Sequence, residues 1–490
     1  MPRPTPKTAS QGDELKKPVT IFIVLAVLFS LAYLYISGLP LYVIVGLAVV
    51  VLMVAGHMIA RANGLVGGYG VYLTGTQRGI KLIIWLSERR KTFWELLTQW
   101  ALVMSFGLLS YPLFKKQIGK RMFVFSMVTL VLINFLILPW TSIAIGIINI
   151  PQITSRIQLP VPGVPVPLFG FGQLVEDVVT IIGGYSLYVI AAISLVGAVD
   201  LYGMVHAAVY IATGVHNPVP LSDLIPGVAL LIPGVTLPLA AGLAALILLL
   251  IIHEFSHGIL ASMMKIRLKM IGLVLFGIIP VGAFVEPDEK KVTKLDKASQ
   301  NKIFIAGIGS NFLLSVLFAI PAIAMFLYVL PHYVTTNMVV AYVEPGAPAY
   351  NILKPGDVLL YWNNVPVSNY TTLAAQDARD PPNSIVDVTT NKGVYLIRSN
   401  ASGKVGIGVA SAILPLTSMP FYPEVRFIYN FLALSFLLNF LIGAMNLLPI
   451  PGFDGWRIYK NVIGDRWLRI FAWALVIVLV ILALPWIWIL

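Results

Sequence analysis

The chain's 490 residues carry 58% hydrophobic and only 11% charged side chains, more apolar surface than a water-soluble domain can cover with polar groups. The formal net charge of +12 would suit a nucleic-acid binder. In so apolar a chain, however, basic residues gather in cytoplasmic loops, so the composition points to a polytopic membrane protein in a lipid bilayer and away from nucleic acid. With no cysteine, disulfides, thiolate-bound zinc and thiol nucleophiles are excluded.

Runs long enough to cross about 30 Å of hydrocarbon occupy residues 19–36, 41–60, 122–148, 178–198, 238–261, 303–330, 427–448 and 468–489. Eight spans is therefore the base expectation. Lys16 and Lys17 precede the first run in the manner of a signal peptide, but that run is of spanning length and lacks a small-residue cleavage site, so it reads as a retained span. The stretch 93–114 is nearly as apolar yet is flanked by basic clusters, which also fits a re-entrant or interfacial element. Residues 201–214 are ambiguous in the same way, and if both cross the membrane the count becomes nine or ten. The Pro-rich stretches 151–169 and 215–238 are expected to be loops, because proline removes helical donors.

From Thr335 to about Pro420 the composition turns polar, which marks a soluble insert of about 80 residues, the size of a small domain. Runs 338–343, 357–362, 385–390 and 394–397 alternate like strands between turns such as Lys354-Pro355-Gly356-Asp357, and 373–378 reads as a short helix. Basic residues at 61–91, 265–269, 290–302 and 457–469 would be cytoplasmic, which puts the end of span 238–261 at the cytoplasmic side and the insert outside.

In LLLIIHEFSHGILA, His253 and His257 stand four residues apart, so on a helix both imidazoles leave one face and can meet one metal ion. Glu254 lies beside the first ligand, placed to act as general base on a water. Zinc suits such a site: it accepts imidazole and carboxylate ligands tetrahedrally and keeps a position for water. Two His and a Glu inside an apolar span are costly unless a function or a partner compensates. The plain alternative is a set of interhelical hydrogen bonds. A third ligand is best sought at Asp454 in AMNLLPIPGFDGWRI, where Pro449 and Pro451 break the helix and Gly452 and Gly455 allow tight backbone; an ordinary Asp-Gly turn is the competing reading. In GIGSNFLLS, Gly307 and Gly309 permit close helix approach and Asn311 offers donors and an acceptor, with small-residue packing the simpler account. His57, His206 and His216 are assigned to packing or interfaces, and His332 to solvent.

These pieces, HEFSH at 253–257, Gly307 with Asn311, and Asn446-Leu-Leu-Pro-Ile-Pro-Gly-Phe-Asp454-Gly455, resemble the site-2 protease family of intramembrane zinc metalloproteases over roughly residues 235–490. The resemblance implies that His253, His257 and Asp454 bind one Zn2+, that Glu254 activates water, and that Asn311 and Asn446 position the substrate. It also implies membrane-anchored protein substrates, cleaved within or near their spans. The PGAPAY and LKPGDVLLYWNNVPV strings make the insert look like the PDZ domain many members carry. The expected fold is thus a polytopic α-helical membrane protein with a small α+β PDZ-like insert. Its expected divisions are an N-terminal transmembrane extension (1–234), a first catalytic part (235–334), the insert (335–420) and a second catalytic part (421–490). The expected location is a multi-pass cell-membrane protein with its active site near the cytoplasmic side; the sequence sets no oligomeric state. Residues 270–285, apolar and Gly-punctuated, could supply an edge strand for an unwound substrate.

The rival is a metal-binding transporter or sensor. It would be expected to show inverted repeats and paired broken helices, and only a weak echo between the Pro-rich stretches exists. A more distant option is another HExxH membrane protease acting on soluble loops or lipidated C-termini. Those enzymes commonly complete the site with a Glu.

Overall fold

The computed structural model describes residues 17–39, 41–145, 147, 173–213 and 231–484. In chain order its longer helices are α1 (Lys17–Ile36), α2 (Leu41–Asn63), α3 (Ile80–Arg89), α4 (Lys91–Phe106), α5 (Lys120–Leu136), α6 (Gln173–Thr213), α7 (Leu239–Met263), α8 (Lys297–Ala324), α9 (Tyr370–Asp377), α10 (Tyr422–Met445), α11 (Asp454–Val462) and α12 (Asp465–Ala483). The strands are β1 (Gly67–Gly68), β2 (Val71–Thr76), β3 (Leu268–Phe276), β4 (Ile279–Pro287), β5 (Val334–Val343), β6 (Val358–Trp362), β7 (Val365–Pro366), β8 (Ile385–Thr390), β9 (Gly393–Arg398) and β10 (Ile407–Pro415).

Among the described residues, eight helical segments are long and apolar enough to cross a membrane, and the chain is a polytopic α-helical membrane protein with a sheet-containing insert. The number matches the expectation; the set does not. Lys91–Phe114 is of spanning length, whereas the apolar part of α1, Pro18–Leu34, is shorter. The basic flanks that made 93–114 look interfacial lie outside a segment much of which is buried by its neighbours: Ala101, Val103 and Met104 are fully covered. This segment is broken at residues 107–109 by a tighter turn, with Gly107 at φ +52°. There it meets the kink of α6 at Gly184, φ +63°, so closely that a Cβ on Gly107 would lie 2.4 Å from the Ile181 carbonyl oxygen. Beyond that kink α6 continues through residues 201–213, so the ambiguous stretch extends one helix and is no separate span. Residues 151–169 and most of 215–238 lie outside the described residues. At 231–238 the chain makes a turn closed by the Pro233–Leu237 bridge, as expected of a Pro-rich loop.

The chain divides into two compact units, one of residues 1–322 and 430–490, the other of residues 323–429. The larger unit holds an antiparallel four-stranded sheet in the order β1-β2-β3-β4. The stretch 270–285 is therefore not one strand but parts of two, folded at Gly277 (φ +62°) into a hairpin whose turn is held by Gly277 N–H donating to Gly70 O at 3.0 Å. Strand β2 comes from the N-terminal part of the chain and pairs with β3 from Val71↔Phe276 to Thr76↔Ile271, so the extension is built into the sheet beside the HEFSH helix.

The smaller unit is an antiparallel sheet in the order β10-β5-β6-β8-β9, with β7 on β6, around a core that includes Met338, Leu359, Trp362, Val386, Val388 and Ile397. All four sequence-read strands are present and α9 covers most of the expected short helix. Strand β10 was not anticipated: Gly408, Ala410 and Ala412 interrupt the bulky alternation that marks a strand, and only its pairing with β5 shows it.

Candidate metal centre

Helix α7 has no proline or glycine from Leu243 to His257, and its apolar run carries the HEFSH segment in unbroken helical geometry. The i, i+4 spacing brings His253 Nε2 and His257 Nε2 to 3.1 Å. Helix α10 ends at Met445. The segment from Leu447 to Phe453 is then irregular, as its two prolines require, and Gly452 takes φ +107°. Gly455 N–H donates to Asn446 O at 2.7 Å, folding the loop back on itself. Asp454 thereby becomes the first residue of α11, where a carboxylate also suits the helix dipole. Its Oδ2 stands 3.2 Å from His253 Nε2 and 3.1 Å from His257 Nε2.

The ligand atoms of His253, His257 and Asp454 all fall within 4.8 Å of one another. With Asp454 Oδ2 this close to both ring nitrogens, and the two Nε2 atoms facing one another, the three atoms surround one point. The donor set of two imidazoles and one carboxylate fits a divalent ion such as zinc with one position left open. His257 Nδ1 sits 2.7 Å from Ile303 O; donating there fixes the tautomer and leaves Nε2 free to ligate.

Gly307 lies against the imidazoles themselves. A Cβ there would be 2.4 Å from His257 Nε2 and 2.8 Å from His253 Nε2. Gly309 serves a different neighbour, since its Cβ would meet Ala101 of α4 at 2.6 Å. The sequence read both glycines as close-approach positions but could not tell that one admits the two imidazoles and the other Ala101 of α4. Glu254 accepts a hydrogen bond from the Val285 N–H of β4 at 3.1 Å.

The structure therefore brings His253, His257, Asp454 and Gly307 together, with Glu254 beside them on α7. The residues of this group, on α7, α8 and the start of α11, all fall inside one family match: the model of Peptidase family M50 covers residues 241–484, close to half of the chain. The chain belongs to peptidase family M50, the site-2 protease family. It is also 28% identical over 240 residues to an uncharacterized protein of Methanocaldococcus jannaschii. That match takes in 48% of this chain and 60% of the relative, so the chain spans less than two thirds of that relative's length.

The two asparagines of the M50 chain stand apart from the ligand group in their contacts. Asn311, one helical turn beyond Gly307, is fully buried, and neither its Oδ1 nor its Nδ2 has a hydrogen-bond partner among the described residues. Its Cβ packs where Gly443 of α10 leaves room. Asn446 is half-buried, and its carbonyl closes the loop before Asp454. His57 and His332 are exposed, and His206 stacks on Tyr202 with ring centroids 4.0 Å apart; none joins the metal group. His216 lies outside the described residues. Sequence reasoning missed the Ile303 carbonyl and the Val285 amide, because a backbone group carries no residue-type signal.

Proposed function

We propose that the chain is an intramembrane zinc endopeptidase that hydrolyses peptide bonds within or near the spans of membrane-anchored proteins. The observation that carries this reading is the convergence of His253 Nε2, His257 Nε2 and Asp454 Oδ2 at 3.1–3.2 Å, beside Glu254, inside a membrane-helix unit. These three residues would hold one Zn2+. When bound, the ion supplies Lewis acidity that polarises a peptide carbonyl and acidifies water at neutral pH.

The protein's own groups do the rest. Helical amides are internally bonded and shielded, so a substrate span must unwind before its backbone can be cleaved. The unwound segment gains partners by pairing with the free edge of β4, the last strand of its sheet among the described residues. Glu254 takes the proton of the attacking water and returns it to the leaving amine nitrogen. Asn311, whose amide is desolvated and has no partner among the described residues, and Asn446 are assigned to positioning the substrate backbone. The positive-loop pattern supports a cytoplasmic location for the centre, with the insert, read as PDZ-like, on the other side.

The test is Glu254→Gln in the full chain reconstituted with a single-span substrate. The variant should retain one zinc per chain and lose about 10²-fold or more in turnover, the usual contribution of a general base. Cleavage at the wild-type rate would overturn the reading.

A further inference from the structure

The free edge of β4 and the carboxylate of Glu254 are not two independent devices. Val285 pairs with Ile271 of β3 in the antiparallel register, but its N–H points the other way, to Glu254 Oε2 at 3.1 Å. In an antiparallel ladder, pairs that exchange hydrogen bonds alternate with pairs that do not. Since the Val285 N–H is turned outward, Ile271↔Val285 is a non-exchanging pair, Gly272↔Phe284 exchanges, and Leu273↔Ala283 again does not. The outward-facing backbone groups of this part of β4 are therefore those of Ala283 and Val285. One of these rungs, the Val285 donor, is occupied by the proposed catalytic base.

Resting on the protease reading above, we infer that the Val285 amide is the positioning group for Glu254, and that the substrate's ladder on β4 stops at Ala283, one rung short of the base. Each partner requires the other. Val285 is buried, and an outward N–H at a sheet edge inside a membrane unit is costly without an acceptor. A carboxylate removed from water needs a donor just as much. The Val285 side chain packs where Gly258 of α7 leaves space for it, beside Ile83 of α3: a Cβ on Gly258 would lie 3.0 Å from Val285 Cγ1 and 3.1 Å from Ile83 Cδ1. The same strand that aligns the substrate thus sets the orientation of the base. A substrate strand extended along β4 from Ala283 runs directly to Glu254.

Proline at an outward-facing edge position removes one N–H without breaking a ladder bond, so the rungs can be tested singly. The full chain in vesicles would be assayed for zinc content, kcat and KM on a single-span substrate, as wild type, Val285→Pro, Val285→Ala and Ala283→Pro. The inference expects Val285→Pro to keep its zinc and its KM while kcat falls on the order of 10- to 100-fold, the cost of a misplaced catalytic group. Val285→Ala keeps the amide and loses only side-chain packing, so its kcat should fall by less than that of Val285→Pro. Ala283→Pro should raise KM with kcat retained. If Val285→Pro loses zinc through misfolding, a backbone ester at position 285, which deletes only the N–H, gives the same reading. Wild-type kcat in the proline or ester variant, or an equal loss in Val285→Ala, overturns the inference. Failure of the protease reading itself would show separately, as undiminished cleavage by Glu254→Gln.

Discussion

The membrane unit and the insert each contain a carboxylate taken out of water, and they treat it in opposite ways. In the insert, Asp357 accepts the Lys354 N–H at 2.8 Å within its own turn and pairs with the Lys392 ammonium, so one charge is cancelled by one neighbour. In the membrane unit, Asp454 is set between two imidazoles that belong to a helix far away in the chain and aims with them at a shared point. The first arrangement locks a turn. The second leaves coordination capacity unspent, which is what a functional site requires and a structural one avoids.

The strongest challenge to this contrast is Asp454→Ala. It should reduce zinc from one per chain to near none, a larger loss than the ~10–100-fold in affinity typical of removing a supporting group. Hydrogen exchange over β5 to β10 should be unchanged in the same sample. Retained zinc would return Asp454 to an ordinary turn residue.

The next effect separates two glycines that lie two positions apart on α8. Gly307→Ala drives a methyl group into both imidazoles, so zinc affinity should fall at least about 10-fold, as when a ligand's support is lost. Gly309→Ala meets Ala101 and not the imidazoles, so it should cost about 1–3 kcal/mol of stability by overpacking while zinc binding persists. Equal zinc affinity in the two variants would contradict the assignment.

Within the insert, Trp362 is almost fully buried and its Nε1 donates to Asp380 Oδ2 at 2.8 Å. Trp362→Ala should destabilise the insert by about 3–5 kcal/mol, read as faster exchange of its strands, with zinc content unaltered. The smallest effect concerns pH. Burial tends to raise the Asp357 pKa, but the Lys392 ammonium and the Lys354 amide outweigh it and hold the carboxyl below its ordinary value. A carboxyl depressed by folding contributes stability above its unfolded pKa of about 3.9 and loses it as pH falls through the folded value. Exchange around 354–358 should therefore accelerate only below about pH 4, and Lys392→Met should make that acceleration smaller, because the folded carboxyl then titrates closer to the unfolded one. An acceleration of unchanged size would show that Lys392 does not hold the carboxyl down.

How much of this was legible depended on the range of the interaction. The pairing of His253 with His257 is local helix geometry, and the apolar runs announce the spans because hydrocarbon tolerates little else. The four insert strands with bulky alternation were visible; β10, with small residues in its middle, was not. The basic flanks of 93–114 suggest an interfacial element, yet the burial of that helix is supplied by neighbours absent from its own sequence. Strand β2 carried no strong signal either, since Val71–Thr76 contains a glycine and gains its partners only from β1 and β3.

Spacing, composition and helix-breaking prolines were enough to establish a membrane chain, two candidate ligands with a base, and a plausible third ligand. Those properties follow from each residue's chemistry and its near neighbours. That Asp454 reaches the histidines, that Gly307 and not Gly309 makes room for them, that Ile303 orients one ring and that Val285 donates to Glu254 were decided by packing between distant segments. Such contacts depend on where backbones come to rest against one another, and a one-dimensional pattern does not encode that position.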